Sequence, residues 1–116
     1  MKAQSRPKEL NGKTHKVTTG CGSLYVTINV DENKQVFEVF AKLGKAGGCS
    51  ACNTEALTRA ISIGIRAGVD ITEYWHTLVG VSCDRPTFTD GVKINSCPDA
   101  IAQVIEMYLV NGKVKE

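Results

Sequence analysis

Hydrophobic and polar residues alternate along two neighbouring stretches of the chain. In residues 23–30, Leu24, Val26, Ile28 and Val30 fall on one face, and Tyr25, Thr27 and Asn29 on the other. DENK (31–34) interrupts the pattern, which resumes in 35–43 with Phe37, Val39, Ala41 and Leu43 on one side. Two alternating runs rich in β-branched residues around a polar turn predict an antiparallel hairpin. Residues 16–19 predict a short strand ahead of it. Residues 1–13 carry Pro7 and Gly12 but no periodicity, so they read as an extended lead-in to a single domain over 14–116.

After GKAGG (44–48) the period changes. Leu57, Ile61 and Ile65 recur every four residues, with Ala60 and Gly64 beside them, and Gly68 stands where a helix ends. Asp70 followed by Glu73 has the form of a capping box and opens a second helix carrying Ile71, Tyr74, Trp75 and Leu78, closed by Gly80. CDRPTFTDG (83–91) is a turn-rich connection, followed by a short strand at 92–95. Ser96 suits the N-cap of a third helix, Pro98 its first turn and Asp99 its positive end. Ile101, Val104, Ile105, Tyr108 and Leu109 form the apolar face, and Gly112 closes the helix. The expected fold is α+β: a small antiparallel sheet, made of the hairpin plus short strands, covered by about three helices.

A length of 116 residues gives one domain, and 42% hydrophobic with 22% charged residues is ordinary for a soluble globular protein. The net charge of +2 and a pI of about 8.3 are too mild to argue for nucleic acid by themselves. Positive charge is denser at the start, where Lys2, Arg6, Lys8, Lys13 and Lys16 face Glu9 alone. That segment is either a solvated arm or a docking arm. No apolar stretch approaches the roughly 20 residues that span a bilayer. The start of the chain lacks a charged-then-apolar secretory signal, so a cytoplasmic location is expected.

The location bears on Cys21, Cys49, Cys52, Cys83 and Cys97. Structural disulfides are disfavoured in a reducing compartment, and an odd number of cysteines cannot pair completely. All five fall at the ends of predicted elements, where helix N-termini favour the thiolate. A structural zinc site takes four thiolate or imidazole ligands, commonly as two close pairs, and here only Cys49 and Cys52 are close in sequence. Those two, at a helix start, also have the spacing of a thiol redox pair, although the alternating strand and helix units of such folds are missing. GKAGG between a strand and a helix is either a plain tight turn or an anion cradle, and it lacks the phosphate-loop pattern. His15 and His76 are either ligands or surface residues. No Ser-His-Asp arrangement or paired carboxylates assemble an active site.

SCPDAI (96–101) closely resembles the signature of the TSCPD domain, with Asn95 where the name has threonine. The resemblance extends over RPKELNGKTHKVTTGCGSLYVTIN, FAKLGKAGGC and TEALTRAISIGIRAG to Cys83, nearly the whole chain. Such domains occur in the C-terminal region of adenosylcobalamin-dependent (class II) ribonucleotide reductases and as small free-standing proteins. The resemblance places Cys21, Cys49, Cys83 and Cys97 at family cysteine positions and leaves Cys52 as an extra. It therefore implies a four-cysteine zinc site. It also implies an accessory or regulatory module related to ribonucleotide reductase, serving deoxyribonucleotide synthesis for DNA replication. The reductase barrel, a cobalamin site and the cysteine-rich redox tail have no counterpart here, so no independent turnover is expected. The expected partner is a reductase catalytic chain, met by the basic lead-in from Arg6 to Lys16 and the exposed parts of the hairpin. A nucleotide or phosphate effector is a further candidate ligand. Two alternatives remain: a thiol oxidoreductase using Cys49 and Cys52, and a phosphate or nucleotide sensor built on the loop from Gly44 to Gly48.

Overall fold

In the computed structural model, which describes residues 2–44, 48–110 and 113–114, the alternating runs form two strands of one sheet. Strands β1 (Asn11–Thr19), β2 (Gly22–Val30) and β3 (Val36–Leu43) pair antiparallel in the order β1-β2-β3. Leu24, Val26 and Ile28 are 0% exposed, so the period-2 pattern puts the central strand's apolar side fully in the core. The Asp31 carboxylate accepts hydrogen bonds from the backbone N–H groups of Asn33 (2.8 Å) and Gln35 (3.0 Å), which shapes the turn between β2 and β3. An irregularity at Asn29/Val30 then shifts the register, and four successive residues, Val36 to Val39, are buried.

β1 is longer than the predicted strand and begins at Asn11, within the segment assigned to the lead-in. Lys13, His15 and Val17 share the side of the sheet that β2 buries, opposite Ile28, Val26 and Leu24, but Lys13 is exposed and His15 and Val17 only half-buried. A strand with one apolar residue on that side gives no hydrophobic period, and pairing with β2 supplies what propensity does not. The preceding residues are clasped to the body. Gln4 donates its N–H to the Arg66 carbonyl (2.8 Å), and Arg66 Nε returns a bond to the Gln4 carbonyl (2.9 Å). Arg6 makes a two-pronged ion pair with Glu38 (3.0 and 3.2 Å), whose carboxylate is 1% exposed and also accepts from Asn29 Nδ2 at 2.6 Å. The reading of a free arm is thereby corrected for this stretch: Arg6 is spent inside the molecule, neutralising a buried acid.

Helix α1 (Gly48–Arg66) lies along the free edge of β3. Its buried residues are Thr54, Thr58, Ile61 and Ser62, whereas Leu57 and Ile65 are only partly buried. The reason is hydrogen bonding. Ser62 Oγ donates to the Val39 carbonyl (2.7 Å) and accepts from the Val39 N–H (2.9 Å). Thr58 Oγ1 accepts from the Ala41 N–H (3.3 Å). Edge-strand groups that would otherwise be unpaired are satisfied by helix hydroxyls. Gly68, at φ 112°, ends the helix region in the left-handed conformation.

Helix α2 (Ile71–Leu78) starts at the predicted cap, where the Asp70 side chain accepts from the Thr72 N–H. The region read as a turn-rich connection followed by a strand is a hairpin, β4 (Thr87–Thr89) with β5 (Val92–Ile94). Its two-residue turn, Asp90 and Gly91, has φ of 52° and 80°. Helix α3 (Cys97–Glu106) buries Ile101, Val104 and Ile105 as predicted, but ends before Tyr108 and Leu109. Leu109 instead opens β6 (Leu109–Val110), which pairs with β7 (Lys113–Val114); the predicted stop at Gly112 lies outside the described residues. The architecture is the expected α+β one: among the described residues, three helices pack with a three-stranded sheet, and two small two-stranded sheets are added.

Two outcomes are expected. Ser62→Ala should lower stability by about 1–3 kcal/mol, because it leaves the Val39 N–H and C=O buried without a partner. Urea titration measures this, and an unchanged midpoint would sink the edge-capping role. His15 joins β1 to Tyr108 (Nε2 to hydroxyl, 2.7 Å), and its pKa lies below the usual 6.5 through burial, with Lys13 adding to the shift. A folded-state pKa below the unfolded one means that stability is fully present above about pH 6.5 and is lost as the pH falls through the two values. His15→Asn should therefore show a shallower loss of stability than the parent between about pH 7 and pH 5. Parallel slopes would disprove it.

A cysteine-bearing end as candidate metal centre

The Thr19 hydroxyl braces the β1–β2 turn. Thr19 Oγ1 donates to the Gly22 carbonyl (2.9 Å) and accepts from the Cys21 N–H (3.1 Å), so it fixes the loop that presents Cys21. Gly20 in this turn meets another segment: a Cβ there would stand 1.8 Å from the Arg85 carbonyl oxygen. The loop carrying Cys83 and Arg85 thus runs directly against the turn carrying Cys21. Within that loop, the Arg85 N–H donates to Cys83 Sγ (3.3 Å), and the Cys83 N–H donates to the Asn95 carbonyl (3.0 Å).

Cys97, the first residue of α3, reaches the same place. Its Sγ lies 3.7 Å from Thr19 Oγ1. Burial pushes the Cys97 thiol up; the Thr19 hydroxyl opposes that shift, and the neighbouring Cys21 adds to it. Cys21 Sγ is in turn 3.7 Å from Ser50 Oγ, in the first turn of α1 and next to Cys49. Four segments therefore meet at one end: the β1–β2 turn, the start of α1, the loop after α2 and the start of α3.

Cys21 and Cys97 are brought together, whereas Cys49, Cys52 and Cys83 remain exposed, and all five are free thiols. Among the described residues, no group of three or more His, Cys, Asp or Glu side chains is arranged to hold a metal ion. Four cysteine thiolates are a donor set that zinc accepts, and here Cys49 is next in sequence to Ser50, which touches Cys21, while Cys83 lies two residues from the Arg85 carbonyl beside Gly20. A closed site needs these two exposed thiols to turn inward. The histidines lie elsewhere, His15 on Tyr108 and His76 against Trp75 at 4.7 Å between ring centroids. Gly44 donates its N–H to the Ser23 carbonyl (2.8 Å) as part of the turn, and Lys45, Ala46 and Gly47 of the proposed anion cradle lie outside the described residues.

The corner that positions Cys97 is built by its neighbours. Ser96 Oγ accepts from the Asp99 N–H (3.1 Å) as the helix cap and donates to the Val81 carbonyl. Asp99, 1% exposed, accepts from the Gly80 N–H with Oδ1 (2.8 Å) and from the Asn95 N–H with Oδ2 (2.9 Å), and Gln103 Nε2 adds a further bond at 2.9 Å. It therefore ties the end of α2 to the start of α3. The N-cap role of Ser96 was visible in the sequence; the long-range partner of Asp99 was not.

Fold and site together define a small α+β domain in which loops and helix starts gather thiols at one end. The TSCPD domain family matches residues 1–109, and the chain belongs to that family. No curated protein and no solved structure matches it. Among the described residues, no helix is long and apolar enough to cross a membrane.

Asp99→Ala should cost about 2–4 kcal/mol, because the Gly80 and Asn95 N–H groups lose a charged acceptor in the interior. The same substitution should speed alkylation of Cys97 by loosening the first turn of α3. Wild-type stability together with unchanged alkylation would show that the carboxylate does not hold this corner.

Proposed function

We propose that this chain is an accessory or regulatory module of ribonucleotide reduction. In this reading one structural zinc ion is held by Cys21, Cys49, Cys83 and Cys97, and the chain acts with a reductase catalytic chain. The observation that carries the reading is the meeting of four cysteine-bearing segments at one end of a TSCPD domain. Four thiolates form a closed tetrahedral set, which stabilises structure and leaves no open position for substrate. Bound there, zinc would cross-link the β1–β2 turn and the loop after α2 to two helix starts. Cys52 stays outside that set. A reducing cytoplasm, where these thiols would stay available to metal, suits the reading. The difficult step of radical ribonucleotide reduction belongs to a cofactor and a shielded pocket, so the module is assigned to influence a reductase and not to turn over alone.

Elemental analysis of protein purified without chelator should find about one zinc per chain. Replacing Cys21, Cys49, Cys83 or Cys97 by Ser should each release metal and lower stability, while Cys52→Ser keeps both. Metal-free protein with four freely titrating thiols and unperturbed stability would overturn the site. A pull-down with a co-resident reductase, followed by a reductase assay with and without the chain, tests the association. Turnover by the isolated chain, or no binding and no effect, would overturn the module reading. Insulin reduction that disappears in Cys52→Ser would instead favour the thiol oxidoreductase.

A further inference from the structure

Beside the face of the sheet turned away from the core runs a groove of about 1020 Å³, bounded on one side by Gly48, Ala51 and Cys52 at the start of α1. Its floor is formed by Tyr25 and Thr27 of β2 with Phe40 and Lys42 of β3, and Arg59 stands on its α1 wall. The register fixes their arrangement. Lys16, Tyr25 and Lys42 lie directly opposite one another across the three strands, and Thr27 lies opposite Phe40. Tyr25 is therefore flanked by two lysines, with Phe40 at the diagonal position about 7–8 Å away. Both rings face solvent, at 39% and 41% exposure.

The free charge on this face is positive. Lys16 and Lys42 have no ion-pair partner among the described residues. Of the carboxylates, Glu55 is occupied by Arg59 (2.9 Å), and Glu38 is occupied by Arg6 and Asn29. Aromatic rings held beside cations and a hydroxyl match a ligand that joins a flat ring to an anion: the ring stacks, the cations take the charge.

We propose that this groove binds a free nucleotide, with the base against Tyr25 and Phe40 and the phosphates held by Lys42 of its floor and by Lys16 beside it on β1. A free nucleotide fits better than a nucleic-acid strand. Strand binding uses a continuous basic track on a strongly basic domain, whereas this chain carries +2 overall and Lys16 and Lys42 flank a single ring. The volume is also at the upper end of ordinary small-molecule sites, about 300–1,000 Å³. None of these residues is among the four thiols assigned to zinc, so the inference stands or falls apart from that centre.

Calorimetric titration of the purified full chain with adenosine triphosphate tests the proposal, with adenosine, inorganic triphosphate and a ten-residue oligothymidylate as comparison ligands. The nucleotide should bind more tightly than either of its halves. Lys42→Glu should weaken it by about tenfold or more, and so should the double variant Tyr25→Thr, Phe40→Thr, in which threonine suits an exposed strand position. Lys93→Glu, an equal change of charge on β5, should leave binding as it was. Circular dichroism establishes that each variant keeps its fold; should one not, the other carries the comparison. Absence of nucleotide binding at millimolar concentration would overturn the proposal. So would binding that survives both groove variants, or tighter binding of the oligothymidylate than of the free nucleotide.

Discussion

The free edge of β3 is the constraint on which the rest of the arrangement depends. A three-stranded sheet exposes a row of backbone N–H and C=O groups at each edge, and burying such a row without partners is costly. Here Thr58 and Ser62 of α1 supply the partners, at Ala41 and Val39. Four residues along a helix advance about 6 Å, and two residues along a strand about 6.6 Å. The two rows of groups therefore match, and α1 must run antiparallel to β3 in a fixed register. That register sets where the helix begins, and so brings Ser50, next to Cys49, to Cys21. It also stands Arg59 over the groove beside Phe40.

The opposite edge is managed by the same chemistry. Thr89 of the β4–β5 hairpin donates its hydroxyl to the Thr18 carbonyl (2.9 Å) on β1. The hairpin thereby covers the β1 edge close to the turn that holds Cys21. Arg85, just before the hairpin, closes against Gly20 so tightly that only glycine fits there. Edge protection and the gathering of the thiols are thus one structural event, since the segments that shield the sheet also carry Cys49 and Cys83.

How much of this was legible in the chain depends on where each signal resides. Period-2 alternation in β2 and β3, and the caps at Asp70 and Ser96, are local, and they placed their elements correctly. Of the buried stripe of α1 the apolar period shows only Ile61, because Thr54, Thr58 and Ser62 look polar until a strand edge needs their hydroxyls. Their spacing of four was the available clue. β1 was under-read because the side it shares with the buried face of β2 carries Lys13 and His15, and Glu38 looks like a surface acid until Arg6 closes on it from 32 positions away. The end of α3 was over-read because Tyr108 and Leu109 prolong the apolar period past the point where the backbone turns. Asp-Gly at 90–91 was a usable hairpin signal inside what was taken for an irregular connection. As for the candidate site, the sequence shows that the cysteines sit at element ends, but which ends meet is a property of the packing.

The signature segment acquires a physical meaning from that packing. Ser96 caps a helix, Asp99 accepts from the end of the preceding helix, and between them Cys97 is buried with its thiol held in the neutral form. A buried neutral thiol is a poor nucleophile, and disulfide exchange runs through an accessible thiolate. Cys97 is therefore badly placed for redox chemistry, and its position is fixed by the packing around it. The residues around it hold a corner between two helices, with the Cys21 thiol as its neighbour. In this family member the Ser96–Asp99 segment fixes where the Cys97 sulfur lies, while Cys49, Cys52 and Cys83 at this end are exposed and Cys21 is half-buried.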